Sequence, residues 1–371
     1  MTTGFFSPLP PAPTGVAAYS AALLQALRGP DNVVPNLDGD LNLYHLGNNA
    51  LHGHIYDRAL AKPGVVVLHD GVLNHFMLGH FERDAYVAEF THNYGVWSED
   101  LARRLWSGRA RSAADPLYFR YPMLRRVVER SLAVVVHNAR AAALAREHGA
   151  VNVHVIPHLF EPPFAHPHHE VLRLRERLGV GTHGTLFAVL GHLRESKRIS
   201  TIVRAFSGVR HAHPGVKLLI AGEFVSSDLP LALGDSLNAD GIVRVGFLND
   251  ADFLLHAAAT DVCVNLRWPS AGETSGIAVR LMGMDKCVIV TSGGETGDIP
   301  EQAIIRVDSG PAEEEMLTAF MTWLAANPDK TRAIGANAGA HIRQFHSIDR
   351  AAAEYRRVLA DCYHKQQSSA P

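Results

Sequence analysis

Short runs of β-branched and aliphatic residues alternate along the chain with longer alanine- and leucine-rich stretches. That rhythm predicts βαβ units and parallel sheets. In the first half, strands are expected at 4–10 (GFFSPLP), 42–48 (NLYHLGN), 65–70 (VVVLHD), 132–138 (LAVVVHN) and 153–158 (VHVIPH). Several are continuous apolar runs closed by a polar residue, as strands covered on both faces should be. The stretch 78–131 has helical spacing and many arginines, and reads as an elaboration of the first unit. EPPFAHPHHE at 161–170 breaks the rhythm with prolines and histidines, and reads as a linker. The pattern then restarts at 186–192, 216–222, 242–246, 262–266, 287–291 and 303–308. From Ile348 to about His364 the spacing is helical, with Ala352, Tyr355, Val358, Leu359 and Cys362 on one face. The expected organisation is a doubly wound α/β domain over 1–165, a second over 166–345, and a helix over 346–371 that returns to the first domain.

Composition narrows the class. Of 371 residues, 47% are hydrophobic and 19% charged, enough to build ordinary cores. A net charge of −2 argues against a dedicated nucleic-acid binder. Cys263, Cys287 and Cys362 show no C-x-x-C spacing, so they read as packed thiols of a reducing compartment. The N-terminus has no basic segment leading into an apolar run, and no stretch approaches the roughly 18 apolar residues of a membrane span. The expected location is the cytoplasm. The arginine-rich stretch 103–130, with Trp106 and Tyr118, is either a peripheral contact at the inner membrane face or a solvated helical face.

Chemistry-bearing residues cluster at the predicted carboxyl ends of strands, where open α/β sheets bind ligands. Thr14-Gly15 falls between a strand and a helix, where glycine serves either a ligand's approach or a tight turn. His69-Asp70 closes VVVLHD, and among the 22 histidines this position raises His69 above His45, His137 and His158. In GHLRESKR (191–198), Arg194, Lys197 and Arg198 suit a diphosphate, although a solvated basic turn would look the same. RWPSAGETSG (267–276) is the most specific stretch. Its Glu273, Thr274, Ser275 and Gly276 precede a helix whose first N–H groups could cradle phosphate, with Glu273 accepting from sugar hydroxyls. Asp38-Gly39-Asp40 has a D-x-D spacing but equally reads as a surface turn, and His166, His168 and His169 lack paired metal-ligand spacing, so no metal site is expected. G-x-G-x-x-G, G-x-x-x-x-G-K-[ST] and G-x-S-x-G are absent.

Taken in order, these stretches resemble the retaining glycosyltransferases of family 4, and bacterial cell-surface polysaccharide enzymes in particular. The anchors are PLPPAPTGVAAYS, YHLGNNALHGHIY with PGVVVLHD, VVVHNARAAAL with VIPH, GHLRESKRISTIVRAF, LLIAGE, VRVGFL and NLRWPSAGETSGIAVRLMGMDKCVIVTSGG. The resemblance implies the GT-B fold, with two facing Rossmann-like domains and a cleft between them. It further implies a nucleotide-diphosphate sugar donor as co-substrate, a hydroxyl acceptor, and neither metal nor other cofactor. His69 matches the histidine near the donor sugar and Lys197 the lysine on its diphosphate. Gly15 matches the loop beside the reacting centre, Glu273 the first glutamate of the paired motif, and Gly246, Phe247 and Leu248 the loop under the base. Asp70 and Thr14 fall on the sugar side.

Two positions depart from the family. His192 stands where an arginine is common, which leaves the diphosphate to Lys197 and Arg267. Arg280 or Leu281 replaces the second glutamate. Arg280 lies seven residues beyond Glu273, nearly the same direction around a helix. The departures motivate a second expectation, a catalytically silent GT-B partner protein. A nucleotide-sugar epimerase on the same fold is a third.

Overall fold

The computed structural model describes residues 1–28, 32–181 and 184–368. The first sheet contains β1 (Thr2–Phe6), β2 (Asn32–Pro35), β3 (Leu41–Leu46), β4 (Val65–Leu68), β5 (Ala133–Val136) and β6 (Val153–Val155). They pair in parallel in the order β2-β1-β3-β4-β5-β6. Strand β2 was not expected from the sequence. Its four residues, NVVP, are too few to show a period and end in proline. The continuous apolar strands β4 and β5 are buried at every position, as is β3.

The second sheet contains β7 (Leu186–Leu190), β8 (Lys217–Ala221), β9 (Ile242–Val245), β10 (Val262–Asn265), β11 (Cys287–Thr291) and β12 (Ile305–Val307), in the order β12-β11-β10-β7-β8-β9. In each sheet the connections reverse direction once, between β1 and β3 and between β7 and β10. A crevice opens outside the carboxyl ends of the strands at such a point.

Six helices matter for the site: α1 (Gly15–Arg28), α2 (Ala139–Glu147), α3 (Ile199–Ala212), α4 (Asp250–Ala259), α5 (Gly276–Gly283) and α6 (Ile348–Ser368). An apolar cluster covers each face of each sheet. One of them joins Tyr19, Leu23 and Leu27 of α1 to Ala352, Tyr355, Val358 and Leu359 of α6, so the last helix lies on the first unit. The Tyr19 and Tyr355 hydroxyls are hydrogen-bonded at 2.9 Å inside it. The chain crosses between the units at a paired return, where Phe160 N–H donates to His346 O (2.6 Å) and Ile348 N–H to Phe160 O (3.2 Å).

The expected linker 161–170 is only partly one. A helix over His168–Arg177 starts inside it, directly after Pro167, whose fixed φ suits a helix start. Within 78–131 the helices are Arg83–Tyr94, Glu99–Gly108 and Arg125–Arg130. Trp106 and Tyr118 point inward, and Arg103 and Arg126 are paired with Glu99 and Glu89. The apolar residues this region exposes are instead Val96 and Trp97. Among the described residues no helix is long and apolar enough to cross a membrane.

Candidate active site

The parallel register brings three histidines to one line. Leu68 pairs with Val136, so β4 and β5 end level and His69 and His137 follow side by side, while His45, paired with Val67, stands two positions back on the same face. His45 Nδ1 lies 3.0 Å from His69 Nε2, and His69 Nδ1 lies 3.2 Å from His137 Nε2. The tautomers follow from one carbonyl. Ile156 O can only accept, so His137 Nδ1 carries the proton that reaches it at 2.9 Å. His137 Nε2 then accepts from His69 Nδ1, and His69 Nε2 accepts from His45 Nδ1. The Tyr19 ring packs edge-on against His69 with 4.9 Å between centroids. Burial holds the whole row neutral, with His137 pushed down to about 4 and His45 and His69 also well below the usual histidine range. Sequence position had set His69 apart from His45, His137 and His158. The fold makes His69 the middle of a row and leaves it no unbonded ring nitrogen.

Asp70 follows at the same edge. Its Oδ2 accepts from Asn48 N–H at 2.7 Å. Burial, and then the negative charge of Glu273, raise its carboxyl to about 7. The two units touch beside it: a Cβ on Gly272, whose φ is +76°, would stand 3.2 Å from Gly71 Cα. Asn138 spans the same gap. Its Oδ1 caps α2 by accepting from Ala141 N–H (2.8 Å), while its Nδ2 donates to Gly272 O (3.0 Å) and Thr274 Oγ1 (2.9 Å).

On the second unit, the β7 and β10 mouths meet. Lys197 is buried, and its ammonium donates to Leu190 O next to Gly191. Burial and the neighbouring Arg267 guanidinium lower it to about 7, leaving it poised to gain a proton when an anion arrives. Arg198, at φ +58°, is committed elsewhere, to Glu313 (2.6 Å) and the face of Trp268 (5.3 Å). Arg194 and His192 are exposed at the rim.

The Glu273 carboxylate is fully engaged: Oε1 pairs with Arg267 at 2.5 Å, and Oε2 accepts from Ala271 N–H at 2.9 Å. Ser275 caps α5, accepting from Ala278 N–H (3.3 Å) and from the Asn265 amide (3.0 Å). Thr274 Oγ1 accepts from Asn138. Both hydroxyls therefore keep their own protons for donation into the cleft. Gly276 starts α5 against His158, whose Nε2 would lie 3.1 Å from an added Cβ.

Arg280 turns toward α4, over Phe253 at 5.2 Å, on the side where Gly246, Phe247 and Leu248 leave β9. Phe247 is 70% exposed, an open aromatic platform. Across the cleft Gly15 faces open space, beside Thr14. The fold thus brings the candidates to two facing edges: Thr14, Gly15, His69 and Asp70 on one, and His192, Lys197, Gly246, Phe247, Leu248, Arg267, Glu273, Thr274, Ser275, Gly276 and Arg280 on the other. Asp38 and Asp40 lie apart from it, held by Arg58 and by Thr2 N–H. Sequence reasoning overlooked Asn138 and ranked His45 and His137 below His69, although His137 and Asn138 directly follow β5 and His45 lies one residue before the end of β3.

No protein-family model matches the sequence, and no curated protein is significantly similar to it. Solved structures do match. The HepE protein of Anabaena, crystallised with UDP and glucose, aligns over 97% of this chain and 100% of its own, at 14% identity and a TM-score of 0.67. Sucrose-phosphate synthase of Thermosynechococcus elongatus covers 100% of both chains at 15% identity and a TM-score of 0.68. WaaG, a glycosyltransferase involved in lipopolysaccharide biosynthesis, covers 94% of this chain and 98% of its own at 12% identity and 0.61. A Listeria monocytogenes protein provisionally described as a UDP-N-acetylglucosamine 2-epimerase covers 100% and 97% at 13% identity and 0.56. The architecture of this chain is the GT-B fold, two Rossmann-like units with helices on both faces of each sheet.

Proposed function

We propose that the chain is a retaining glycosyltransferase of the family 4 type, moving a sugar from a nucleotide diphosphate to a hydroxyl acceptor in polysaccharide or glycoconjugate synthesis. The observation that carries this reading is the β7/β10 mouth. A buried lysine, the start of α5 and Arg267 converge there opposite the His69–Asp70 edge. Charge in this reaction grows on the departing diphosphate, and preorganised cations and N–H groups are worth most against such developing charge. The C1–O bond to the diphosphate breaks with its electron pair leaving on phosphate. The acceptor oxygen bonds to C1 from the same face, and its proton passes to the departing phosphate oxygen. Lys197, the first N–H groups of α5 and the Thr274 and Ser275 hydroxyls hold the diphosphate. Arg280 and the Gly246–Leu248 loop carry the nucleoside end. His69 forms an uncharged floor under the sugar, and Glu273 orients it through Arg267. No metal enters this scheme, and membrane contact through 103–130 would bring in a lipid-borne acceptor.

Thermal unfolding with UDP, GDP, ADP, dTDP and CDP, each in large excess, is the direct test. A nucleotide at a hundredfold its Kd stabilises by about 2.7 kcal/mol. One nucleotide should stand out, and Lys197→Ala should abolish both its stabilisation and most sugar transfer. Near-normal transfer by Lys197→Ala would overturn the diphosphate assignment. The epimerase reading draws on Asp70, whose carboxyl burial and the neighbouring Glu273 raise to about 7, a site able to exchange protons. An altered free sugar from the donor, with no glycoside on an added acceptor, would favour it.

A further inference from the structure

The chain leaving β8 carries a carboxylate, Glu223, whose direction is set by the strand before it. Residues of β8 alternate between the two faces of the second sheet. Leu218 and Ile220 join the core under α3, and Leu219 and Ala221 the core under α4 and α5. The alternation continues past the strand's end, because this segment stays paired with the one after β7. Leu193 N–H donates to Glu223 O at 2.8 Å, and Val225 N–H to Leu193 O at 2.9 Å. Phe224 packs with Leu193 on the α3 side. Glu223 therefore points the other way, toward α4 and α5, from a backbone held on both sides of it. Its side chain is exposed, and its carboxylate has no hydrogen bond or ion pair among the described residues. His192, at the rim, lies within reach of its charge.

The place it points to lies on the path of a nucleotide. Gly191 follows β7 and Gly222 follows β8, at φ +82° and +140°. A Cβ on Gly222 would run into Gly191 O, and one on Gly191 into Ile277 of α5, so the two turns and the helix start meet without side chains between them. Strands β7, β8 and β9 are successive neighbours in the sheet. With strands about 4.8 Å apart, the Lys197 mouth at β7 and the Phe247 platform after β9 are about 10 Å apart, and β8 ends midway. In a nucleoside diphosphate the ribose is the part that joins diphosphate to base. A nucleotide reaching from Lys197 to Phe247 sets its ribose over the end of β8. The ribose hydroxyls need acceptors there, and Arg280, on the same side over Phe253, can only donate. Rossmann units that bind dinucleotides likewise use an acidic side chain for a ribose 2′-hydroxyl.

Resting on the transferase reading, we infer that Glu223 accepts hydrogen bonds from the ribose 2′- and 3′-hydroxyls of the donor and restricts the site to ribonucleoside diphosphates. A 2′-deoxynucleotide leaves the carboxylate with one partner fewer beside the diphosphate.

Isothermal titration calorimetry on the full chain tests this with UDP, GDP, ADP and CDP, each beside its 2′-deoxy counterpart, and with dTDP. The preferred base should bind about 10–100-fold tighter as the ribonucleotide, the range of a hydrogen bond to a charged group. Glu223→Ala should weaken the ribonucleotide until the two forms bind nearly alike. Glu223→Gln keeps an accepting oxygen without the charge and should hold part of the preference. Unfolding midpoints equal to the parent's in the absence of nucleotide report that both variants fold. Equal binding of the two forms by the parent, dTDP as the best ligand, or a ratio untouched by Glu223→Ala overturns the ribose contact and leaves the donor site standing. A changed ranking of bases with the ribose preference kept assigns Glu223 to the base and overturns the contact as well. Failure of every nucleotide to bind removes the donor reading itself, and this contact with it.

Discussion

Asp70 shows how a single residue takes its character from the fold. Its carboxyl is buried at the meeting of two units and faces Glu273, with Arg267 and Arg194 offsetting part of that charge and Asn48 N–H bonded to it. Burial is the largest influence, and the result is a group at about 7 where an ordinary aspartate lies near 3.8. The folded chain therefore binds this proton more tightly than the unfolded chain. Between about pH 4 and pH 7 the native state holds a proton that the unfolded state has lost, so stability falls as pH rises through that window. Asp70→Asn keeps the shape and an oxygen to accept from Asn48, but carries no charge. It should match the parent near pH 4 and be more stable above pH 7, by on the order of a few kcal/mol. Thermal midpoints across that range check this, and equal midpoints at pH 8 would show that the carboxylate is solvated or neutralised there. A sequence reader could place Asp70 at a strand's end, but not foresee Glu273 of the other unit facing it. That neighbour lies about 200 residues along the chain and is set by how the two units meet.

At the scale of elements, what was legible follows from period and length. Eleven strands announced themselves as apolar runs, whereas NVVP was too short to do so, and the linker hid a helix start behind Pro167. The GETSG stretch was legible as a helix entry, and Ser275 caps that helix. Its exit was not. Gly283 closes α5 because the ring of Phe160 lies where its side chain would be: a Cβ there would stand 2.4 Å from two ring carbons. Phe160 is 4% exposed and its backbone is tied on both sides to the return at His346 and Ile348, so the ring has little room to yield. Two effects oppose each other in Gly283→Ala. Helix propensity favours alanine by about 1 kcal/mol. Overpacking a closed core costs typically about 1–3 kcal/mol. Overpacking should win, lowering the urea midpoint with an unchanged m-value. A raised midpoint would mean that the Phe160 ring moves aside at little cost.

The whole molecule is two sheets whose ligand-facing edges are held at a fixed approach, and Asn138 shows how that approach can be loosened without disturbing either unit. One side chain does two separable things. Its carbonyl oxygen caps α2 within the first unit, and its amide reaches Gly272 O and Thr274 Oγ1 of the second. Serine caps helices about as well as asparagine but is too short to span the gap. Asn138→Ser should therefore leave α2 and the first unit's unfolding nearly unchanged while removing two hydrogen bonds between the units, each of ordinary net worth, about 0.5–1.5 kcal/mol. Their loss shifts the balance toward an opened cleft by a factor on the order of 10, since about 1.4 kcal/mol is tenfold in a two-state equilibrium. Small-angle scattering should report a larger radius of gyration for the ligand-free variant. A nucleoside diphosphate held by the second unit alone would not reverse that change, whereas a ligand spanning both edges would. Closure matters for chemistry because it removes water from around the Lys197 mouth and brings His69 and Asp70 over it. On the proposed transferase reading, hydrolysis of a bound donor, the reaction with water in place of an acceptor, should accordingly rise relative to transfer. An unchanged radius and an unchanged ratio of hydrolysis to transfer would assign the closed approach to the Gly71–Gly272 contact and the Phe160–His346 return rather than to this amide.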